Sequence, residues 1–260
     1  MIKAVTLNTL VDLTDWELRG QVIVDELKRL DPDIVAFQEV VLPLNTAQWV
    51  ADRLEGFRAY VTPNAGMMGK NEALAVVSRL EVLNLNVLDL LHQNRKAQVL
   101  TVLKDNDVFL FVNTHLFWHD DPAPERLEQA RMITDRLALY PRKTPRIICG
   151  DLNSLPGSPT IDHLKQNYQS AYAIIHGHEP AFTFPTLLNE ERHKKDQPNP
   201  TTQFVRSEPK KETIDYIFVS PDLKVTKCDL EFDMPHPHYP DIYASDHYGL
   251  YAEIVLEHNK

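Results

Sequence analysis

The stretch Val99-Leu100-Thr101-Val102-Leu103-Lys104-Asp105-Asn106-Asp107-Val108-Phe109-Leu110-Phe111-Val112 contains two apolar runs of strand length, which are separated by a short polar segment. A connection this short joins strands that run in opposite directions, because a parallel pair needs a crossover of a dozen or more residues. The stretch therefore predicts an antiparallel hairpin. A hairpin of this kind argues against a purely parallel, doubly wound sheet.

Apolar runs of similar length recur along the whole chain, at residues 2–7, 34–37, 74–77, 99–103, 108–112, 146–149, 214–219 and 250–256. Many are continuous rather than alternating, which is typical of strands that are covered on both faces. Apolar residues at helical spacing between these runs predict four helices. The first lies between Thr14 and Pro32, and the others lie at about 46–54, 124–139 and 158–166. The first helix should begin with a capping box formed by Thr14 and Glu17, and it should end before Pro32.

The composition of the 260 residues is that of a globular protein, with 43% apolar and 25% charged residues. It excludes disordered, collagen-like and repeat-array proteins. A chain of this length can form one large core, and no shift in composition marks a linker. We therefore expect a single α/β domain spanning residues 1–260.

Charge and cysteine content limit the partners and the compartment. The chain has 27 Lys plus Arg and 37 Asp plus Glu, and its formal net charge of −10 argues against a general polyanion-binding protein. Two cysteines are too few for a disulfide framework, which favours a reducing compartment. No apolar run approaches the ~18 residues of a membrane span, and the sequence leads directly into a predicted strand without a signal peptide. We expect a soluble, cytoplasmic protein and infer no obligate protein partner.

Polar side chains lie at the ends of the apolar runs, where a rigid scaffold can hold them at a cleft. They are Asn8, Gln38, Glu39, Asn113, Thr114, His115, Asp151, Asn153, Asp215, Ser245, Asp246 and His247. Taken singly, each has an ordinary explanation, such as an Asx turn at Asp151 and Asn153. Asp215 differs, because a carboxylate in an apolar strand must be paired or bear a desolvation cost on the order of several kcal/mol. Its best partner is a histidine.

Taken together, six short motifs resemble the endonuclease/exonuclease/phosphatase superfamily in order and spacing. They are Leu7-Asn8, Gln38-Glu39-Val40, Asn113-Thr114-His115-Leu116, Gly150-Asp151-Leu152-Asn153-Ser154, Ile214-Asp215-Tyr216 and Ser245-Asp246-His247. The resemblance covers nearly the whole chain. It implies a four-layer α/β sandwich, in which two mixed β-sheets pack face to face with helices outside, and one active site at a shared rim. It also implies hydrolysis of phosphate esters with Mg²⁺, for which Mn²⁺ can substitute.

The resemblance implies a metal site and a water-activating site. Glu39 corresponds to the direct metal ligand, with Asn8 and Asp246 close to the metal through oxygen or bound water. Asp151 corresponds to the group that orients or deprotonates the attacking water, and Asn153 to its neighbour that positions the nucleophile and the phosphate. Such oxygen ligands suit Mg²⁺, which keeps several waters and binds one or two carboxylates.

The resemblance also implies two phosphate-binding histidines. His247, held by Asp215, would bind the phosphoryl oxygen, and His115 corresponds to the second histidine. Glu72 falls where some nucleases of the family keep the acid that orients His115. A nearby carboxylate favours the cationic imidazole, which stabilises charge on the non-bridging oxygens of the phosphate.

Branches of this family act on different substrates, and several stretches of the sequence bear on the branch. The stretch Thr114-His115-Leu116-Phe117-Trp118 is similar to the deadenylase and nocturnin branch, and Trp118 could offer a stacking face to a base or simply anchor a loop. The stretch Ser154-Leu155-Pro156 departs from the aromatic-Arg pair of inositol-polyphosphate phosphatases, and Ile214-Asp215-Tyr216 from their Cys-Asp-Arg. The acidic net charge disfavours duplex DNA as the substrate, because duplex binding rests on phosphate neutralisation.

These observations predict an Mg²⁺-dependent phosphodiesterase that acts on a nucleotide-containing or single-stranded nucleic-acid substrate. A sphingomyelinase-like hydrolase of phospholipids or other small phosphate esters is the enzyme alternative, because it uses the same core residues. A hydrophobic hairpin would favour it, but Gly66-Met67-Met68-Gly69 is too short to be one. A non-catalytic binding protein on this fold is the other alternative. The long irregular stretch 188–212 is either a functional or a solvated loop.

Overall fold

Two six-stranded sheets form the framework of the molecule. The computed structural model describes residues 1–65, 71–119, 123–188 and 210–256. The first sheet contains β1 (Ile2–Asn8), β2 (Ile34–Val41), β3 (Arg58–Ala65), β4 (Asn71–Ser78), β11 (Leu223–Glu231) and β12 (Gly249–Leu256). The second sheet contains β5 (Glu81–Asp89), β6 (Lys96–Lys104), β7 (Asp107–His115), β8 (Arg146–Asp151), β9 (Gln169–Ser170) and β10 (Asp215–Val219). Gly66-Met67-Met68-Gly69 and most of the stretch 188–212 lie outside the described residues.

Both sheets mix parallel and antiparallel pairs, as predicted. The strand orders are β11-β12-β1-β2-β4-β3 and β5-β6-β7-β8-β10-β9. The pairs β1–β2 and β7–β8 are parallel, whereas the other neighbours are antiparallel. Strands β6 and β7 form the predicted hairpin, and Asp105 in its turn has a φ of 55°.

Five helices pack against the two sheets in the described part of the chain. They are α1 (Trp16–Leu30), α2 (Thr46–Ala51), α3 (Pro124–Ala138), α4 (Pro159–Lys165) and α5 (Ala171–His176). Helices α1 and α2 pack on the first sheet, and α3 and α4 on the second, which confirms the four-layer α/β sandwich. Helix α5, which the sequence analysis did not predict, contacts β10 and β11. Among the described residues, no helix combines the length and the apolar character needed to cross a membrane.

The continuous apolar strands follow from this layering. In β1, Ile2 and Ala4 belong to the core between the two sheets, whereas Val5 and Leu7 belong to the core under α1 and α2. Successive side chains of a strand point to opposite faces, so a strand that is buried on both faces carries apolar residues at every position. The sandwich therefore explains the runs that the sequence shows.

The predicted capping box at the start of α1 is wrong. The N-cap is Asp15, which has a φ of 55° and makes no capping hydrogen bond with its side chain. The Thr14 amide donates instead to Oδ1 of Asp12 at 2.6 Å, so a turn within the preceding loop takes the place of the box. The predicted helix end before Pro32 is confirmed, because Asp31 is the C-cap.

A buried polar network joins the two sheets beneath the strand ends. Asn113 donates from Nδ2 to the carbonyls of Phe37 and Ala75, both at 3.0 Å, and to Oε1 of Gln98 at 3.1 Å. Gln38 donates to Oδ1 of Asn113 at 2.7 Å. Gln38, Gln98 and Asn113 are fully buried. Two of the polar strand-end residues seen in the sequence, Gln38 and Asn113, therefore connect the sheets rather than line a cleft.

Candidate active site

One cleft at the rim of the sandwich collects most of the predicted site residues. It has a volume of about 300 Å³. Seven predicted residues line it, namely Glu39, Glu72, His115, Asp151, Asn153, Asp246 and His247. The other two, Asn8 and Asp215, lie behind it and are hydrogen-bonded to residues of the lining. Further lining residues are Leu10, Val11, Arg95, Trp118, Phe184, Glu212 and Ile214.

Asn8 connects two carboxylates across the two sheets. Its Nδ2 donates to Oε1 of Glu39 and to Oδ2 of Asp151, both at 3.0 Å. Its Oδ1 accepts from the amide of Leu10 at 3.0 Å, which fixes the orientation of the side-chain amide. The nitrogen of Asn8, rather than its oxygen, thus faces the carboxylates.

A β-bulge turns Glu39 toward the cleft. The register of β2 against β4 shifts between Phe37 and Val40, and Glu39 has a φ of 58°, a left-handed conformation that is uncommon for a non-glycine residue. The second carboxylate oxygen of Glu39 accepts from the amide of Val11 at 2.7 Å. The carboxylate is therefore held from both sides while the residue stays half-buried.

Asp151 is placed by a close approach of two strands. Gly150 pairs with Thr114 and has a φ of 139°, and a Cβ atom there would lie 1.9 Å from the Thr114 carbonyl oxygen. Only glycine fits this position. Beyond it, Oδ1 of Asp151 accepts from the amide of Asn153 at 2.9 Å, and Nδ2 of Asn153 donates to the carbonyl of Leu116 at 3.2 Å. The Asx turn thus coexists with exposure of both side chains to the cleft.

The charge of Asp151 is stabilised although the residue is buried. Burial alone would raise the pKa of Asp151, but His115, His247 and the Asn8 amide outweigh burial and hold that pKa below its usual range. Nε2 of His115 lies 3.4 Å from Oδ2 of Asp151, and Nε2 of His247 lies 3.9 Å from the same oxygen. Asp151 is therefore an ionised hydrogen-bond acceptor at neutral pH.

His247 is held by Asp215 from the opposite sheet. Nδ1 of His247 lies 2.9 Å from Oδ2 of Asp215, the partner expected for a carboxylate inside an apolar strand. Burial disfavours the charged imidazole, but Asp215, Asp246 and Asp151 raise the pKa of His247 well above its usual value. The imidazole is thus a cation at neutral pH, and its Nε2 faces the cleft.

Thr183 completes the support of Asp215, a role that no pattern in the sequence indicates. Its hydroxyl donates to Oδ2 of Asp215 at 2.6 Å and accepts from the amides of Ile214 and Asp215 at 3.0 and 3.1 Å. Thr183 is fully buried.

His115 and Glu72 are brought together through an arginine that the sequence analysis missed. Nη1 of Arg95 lies 2.9 Å from Oε1 of Glu72 and 3.0 Å from Nδ1 of His115, whereas Glu72 and His115 are 3.6 Å apart. Burial alone would raise the pKa of Glu72, but the guanidinium of Arg95, 2.9 Å away, outweighs burial and keeps that pKa well below its usual range. Arg95 precedes β6 in a turn, where no apolar run signals a strand end.

The donor set of the cleft fits a hard divalent cation. Glu39 and Asp246 are half-buried carboxylates that line the same cleft. Among the described residues, Asp151, Asp215 and His247 also bring ligand atoms within 4.8 Å of one another. Asp215 and His247, however, are hydrogen-bonded to each other, and Mg²⁺ prefers oxygen ligands. The carboxylates of Glu39 and Asp246 therefore suit a hard divalent cation better than the Asp215 and His247 pair does.

Two aromatic side chains stand at the mouth of the cleft. Trp118 is 55% exposed, so it is not a core residue, and its backbone is tied to Gln93 by hydrogen bonds of 2.9 and 2.7 Å. The Phe184 ring lies 4.9 Å from the His247 ring, centroid to centroid. Both aromatic residues also line a second cleft of about 380 Å³ that adjoins the first.

Comparison with known proteins finds relatives in sequence and in structure. Carbon catabolite repressor protein 4 homolog 4 of Arabidopsis thaliana is 26% identical over 165 residues, which cover 57% of this chain and 38% of that protein. The catalytic domain of human Nocturnin with a bound sulfate anion is 24% identical, with a TM-score of 0.77 and coverage of 98% and 93%. D. rerio TDP2 complexed with a single-strand DNA product is 16% identical, with a TM-score of 0.77 and coverage of 98% of both chains.

The similar structures, the sequence relatives and the family model support different conclusions. The solved structures share the fold, while their sequence identity is too low to carry an activity over. The chain spans less than half the length of the curated relatives it matches. The model of the Endonuclease/Exonuclease/phosphatase family, in contrast, matches residues 5–247 and so includes nearly the whole cleft. The chain therefore belongs to the endonuclease/exonuclease/phosphatase family.

Proposed function

We propose that this protein is an Mg²⁺-dependent phosphodiesterase, in which Mn²⁺ can replace Mg²⁺, and that its substrate is a nucleotide-containing molecule or a short single-stranded nucleic acid. The observation that carries the proposal is one cleft that combines three kinds of group. It holds an ionised buried carboxylate at Asp151, an imidazolium at His247, and two further carboxylates at Glu39 and Asp246. Hydrolysis of a phosphodiester requires these three kinds of group.

Glu39 and Asp246 are the residues that would hold the cation. Asn8 orients Glu39 from behind and places it next to Asp151. When bound, Mg²⁺ supplies positive charge that stabilises the phosphate oxygens as charge develops on them. The remaining chemistry belongs to side chains of the protein.

Asp151 orients the attacking water and accepts its proton. Its buried and ionised carboxylate has one oxygen engaged by the Asn153 amide and the other directed toward Asn8 and the two histidines. A positioned carboxylate base of this kind contributes about 10²–10⁴ in rate. Asn153 lines the cleft beside it and positions the phosphate that the water approaches.

His247 stabilises the negative charge that develops on the phosphoryl group. Asp215 engages Nδ1, so the proton on Nε2 is available for a non-bridging oxygen. His115 contributes a second ring nitrogen, which lies 3.4 Å from the same Oδ2 of Asp151 as the ring of His247 does at 3.9 Å. The charge-assisted hydrogen bonds of such donors act most strongly in a cleft that excludes water.

Several observations support a nucleotide-containing substrate. Trp118 exposes more than half of its side chain at the mouth of the cleft and offers a face on which a base can stack, worth about 1–3 kcal/mol. Similar folds include Nocturnin and a TDP2 that was solved with a single-strand DNA product. The net charge of −10 disfavours duplex DNA. We also propose that residues 1–260 form one domain, since β1 near the start of the chain pairs with β12 near its end.

A hydrolysis screen of the full chain tests the proposal. Single-stranded oligonucleotides, the same sequences as duplexes, cyclic and capped nucleotides, and sphingomyelin vesicles would each be incubated with Mg²⁺, Mn²⁺ or a chelator. We expect cleavage of nucleotide substrates with either metal and none with the chelator, and the Asp151→Asn variant is the control for a contaminating nuclease. Preferential cleavage of sphingomyelin would support the lipid hydrolase instead. Binding of a nucleotide without hydrolysis would support a non-catalytic protein.

A further inference from the structure

Three buried side chains form a row that crosses from the first sheet to the second. Glu72 begins the row in β4, Arg95 lies in the turn before β6, and His115 ends β7. Their exposed fractions are 7%, 8% and 2%. All three also line the catalytic cleft, so the arrangement of their hydrogens bears on the chemistry there.

The hydrogen bonds within this row determine which ring nitrogen of His115 carries the proton. A guanidinium only donates, and each of its terminal nitrogens carries two hydrogens. Nη1 of Arg95 lies 2.9 Å from Oε1 of Glu72 and 3.0 Å from Nδ1 of His115, so one hydrogen serves each neighbour. Nδ1 of His115 must then accept. A ring nitrogen that accepts carries no hydrogen, which leaves the ring proton of His115 on Nε2.

We propose that Arg95 is the positioning residue that fixes His115 in the tautomer protonated only at Nε2. The nitrogen Nε2 lies 3.4 Å from Oδ2 of Asp151 at the cleft, so the single N–H of His115 is available there to Asp151 or to a substrate oxygen. The effect on turnover rests on the proposed function, whereas the tautomer does not.

Without Arg95, the same neighbours would favour a different protonation state. Glu72 alone would face Nδ1 as a carboxylate 3.6 Å away, and a carboxylate accepts hydrogen bonds. Nδ1 would then carry a proton. Because of Arg95, Nδ1 of His115 accepts a hydrogen bond instead of donating one, although the carboxylate of Glu72 lies close to the ring.

The test is a long-range ¹H–¹⁵N spectrum of the full chain labelled with ¹⁵N-histidine, without added metal. The His115 signals are assigned by their loss in His115→Gln. We expect an unprotonated Nδ1 and a protonated Nε2 in the wild type. Arg95→Met should protonate Nδ1, and Arg95→Lys should leave it unprotonated, because an ammonium group is also only a donor. The control is Arg79→Met, since Arg79 pairs with Asp31 and Asp33 instead, and it should leave the His115 signals unchanged.

A protonated Nδ1 in the wild type would overturn the proposal, and this result does not depend on whether any variant folds. A His115 spectrum that is unchanged in folded Arg95→Met would overturn it as well. On the substrate found by the screen, Arg95→Met should lower kcat by at least about tenfold and change KM by less than about threefold, with Arg95→Lys retaining more activity. If the protein hydrolyses nothing, the spectra still decide the tautomer, so failure of the proposed function is distinguishable from failure of this inference.

Discussion

Nδ1 of His247 lies 2.9 Å from Oδ2 of Asp215, although the two residues belong to different sheets. His247 precedes β12 of the first sheet, and Asp215 begins β10 of the second. The bond between Asn8 and Asp151 crosses the same boundary. The candidate site is thus assembled by the packing of the sheets rather than by one local motif.

Asp215 and His247 are expected to act as a unit. Asp215→Asn and His247→Ala should each lower kcat by about 10² or more, and the double variant should lose little more than either single variant. Kinetics on the substrate found by the screen measure this coupling, and unfolding in urea separates it from lost stability, because Asp215 is 1% exposed. Fully additive losses would contradict the pairing.

Thr183→Val should weaken the support of Asp215 with little change in size. The substitution leaves the amides of Ile214 and Asp215 without their acceptor and removes the bond to Oδ2 of Asp215. We expect the free energy of unfolding to fall by about 1–3 kcal/mol, together with a loss in kcat. Thr183→Ser keeps the hydroxyl and is the matched control. A Thr183→Val variant that is as stable and as active as the wild type would show that the hydroxyl does not support Asp215.

Glu39→Gln tests the metal site. The amide is nearly isosteric with the carboxylate but carries no charge, so the Mg²⁺ concentration for half-maximal activity should rise at least about tenfold. A titration of activity with Mg²⁺ measures this, and the thermal stability of the variant checks the fold. High Mg²⁺ should restore part of the activity. Full activity of the wild type in excess chelator would remove the metal from the mechanism.

Asp151→Asn separates water activation from metal binding. It keeps one oxygen but removes the negative charge that orients and deprotonates water, so turnover should fall by at least about 10². Substrate affinity should change much less, as measured by KM and by binding without turnover. A defect that excess Mg²⁺ rescues would instead place Asp151 among the metal-binding groups.

Acidification should lower the free energy of unfolding of the wild type more than that of the Glu72→Gln variant. The pKa of Glu72 is lowered from 4.5 to about 2 in the folded state. A depressed carboxylate pKa gives stability that is present above about pH 4.5 and lost as the pH falls toward 2, up to about 3 kcal/mol. Urea unfolding at pH 7 and at pH 3 measures it. The gap in stability between wild type and variant should therefore narrow with acidification, and a constant gap would argue against the Arg95 contact.

The sequence predicted the fold where strands are buried on both faces. The β1, β2, β7 and β12 runs are continuous and apolar, so their assignment needed only length and composition. Strand β5 was missed because it lies at a sheet edge and its side chains are largely exposed. Strand β11, also at an edge, alternates with charged residues and resembles a loop in composition.

The site was predicted unevenly for a related physical reason. Residues such as Asp151 and His115 follow apolar strands, and their position along the strand already indicates the cleft. Arg95 gives no such signal, because it reaches the cleft from a turn in which Gln93 and Asn94 have positive φ values. Thr183 acts through a contact with a residue 32 positions away. Both roles depend on tertiary contacts that a single sequence does not encode locally.

The buried network around Asn113 has a consequence for the cleft above it. A purely apolar interface between two sheets is non-directional and tolerates small sliding movements. The hydrogen bonds from the Asn113 amide to the carbonyls of Phe37 and Ala75, which lie in the other sheet, specify a single offset. This offset sets the distance within each pair of site residues that spans the sheets, such as Asn8 with Asp151 and Asp215 with His247. Since a displacement of about 1 Å can cost on the order of 10² in rate, the alignment of the site residues depends on Asn113, which does not itself line the cleft.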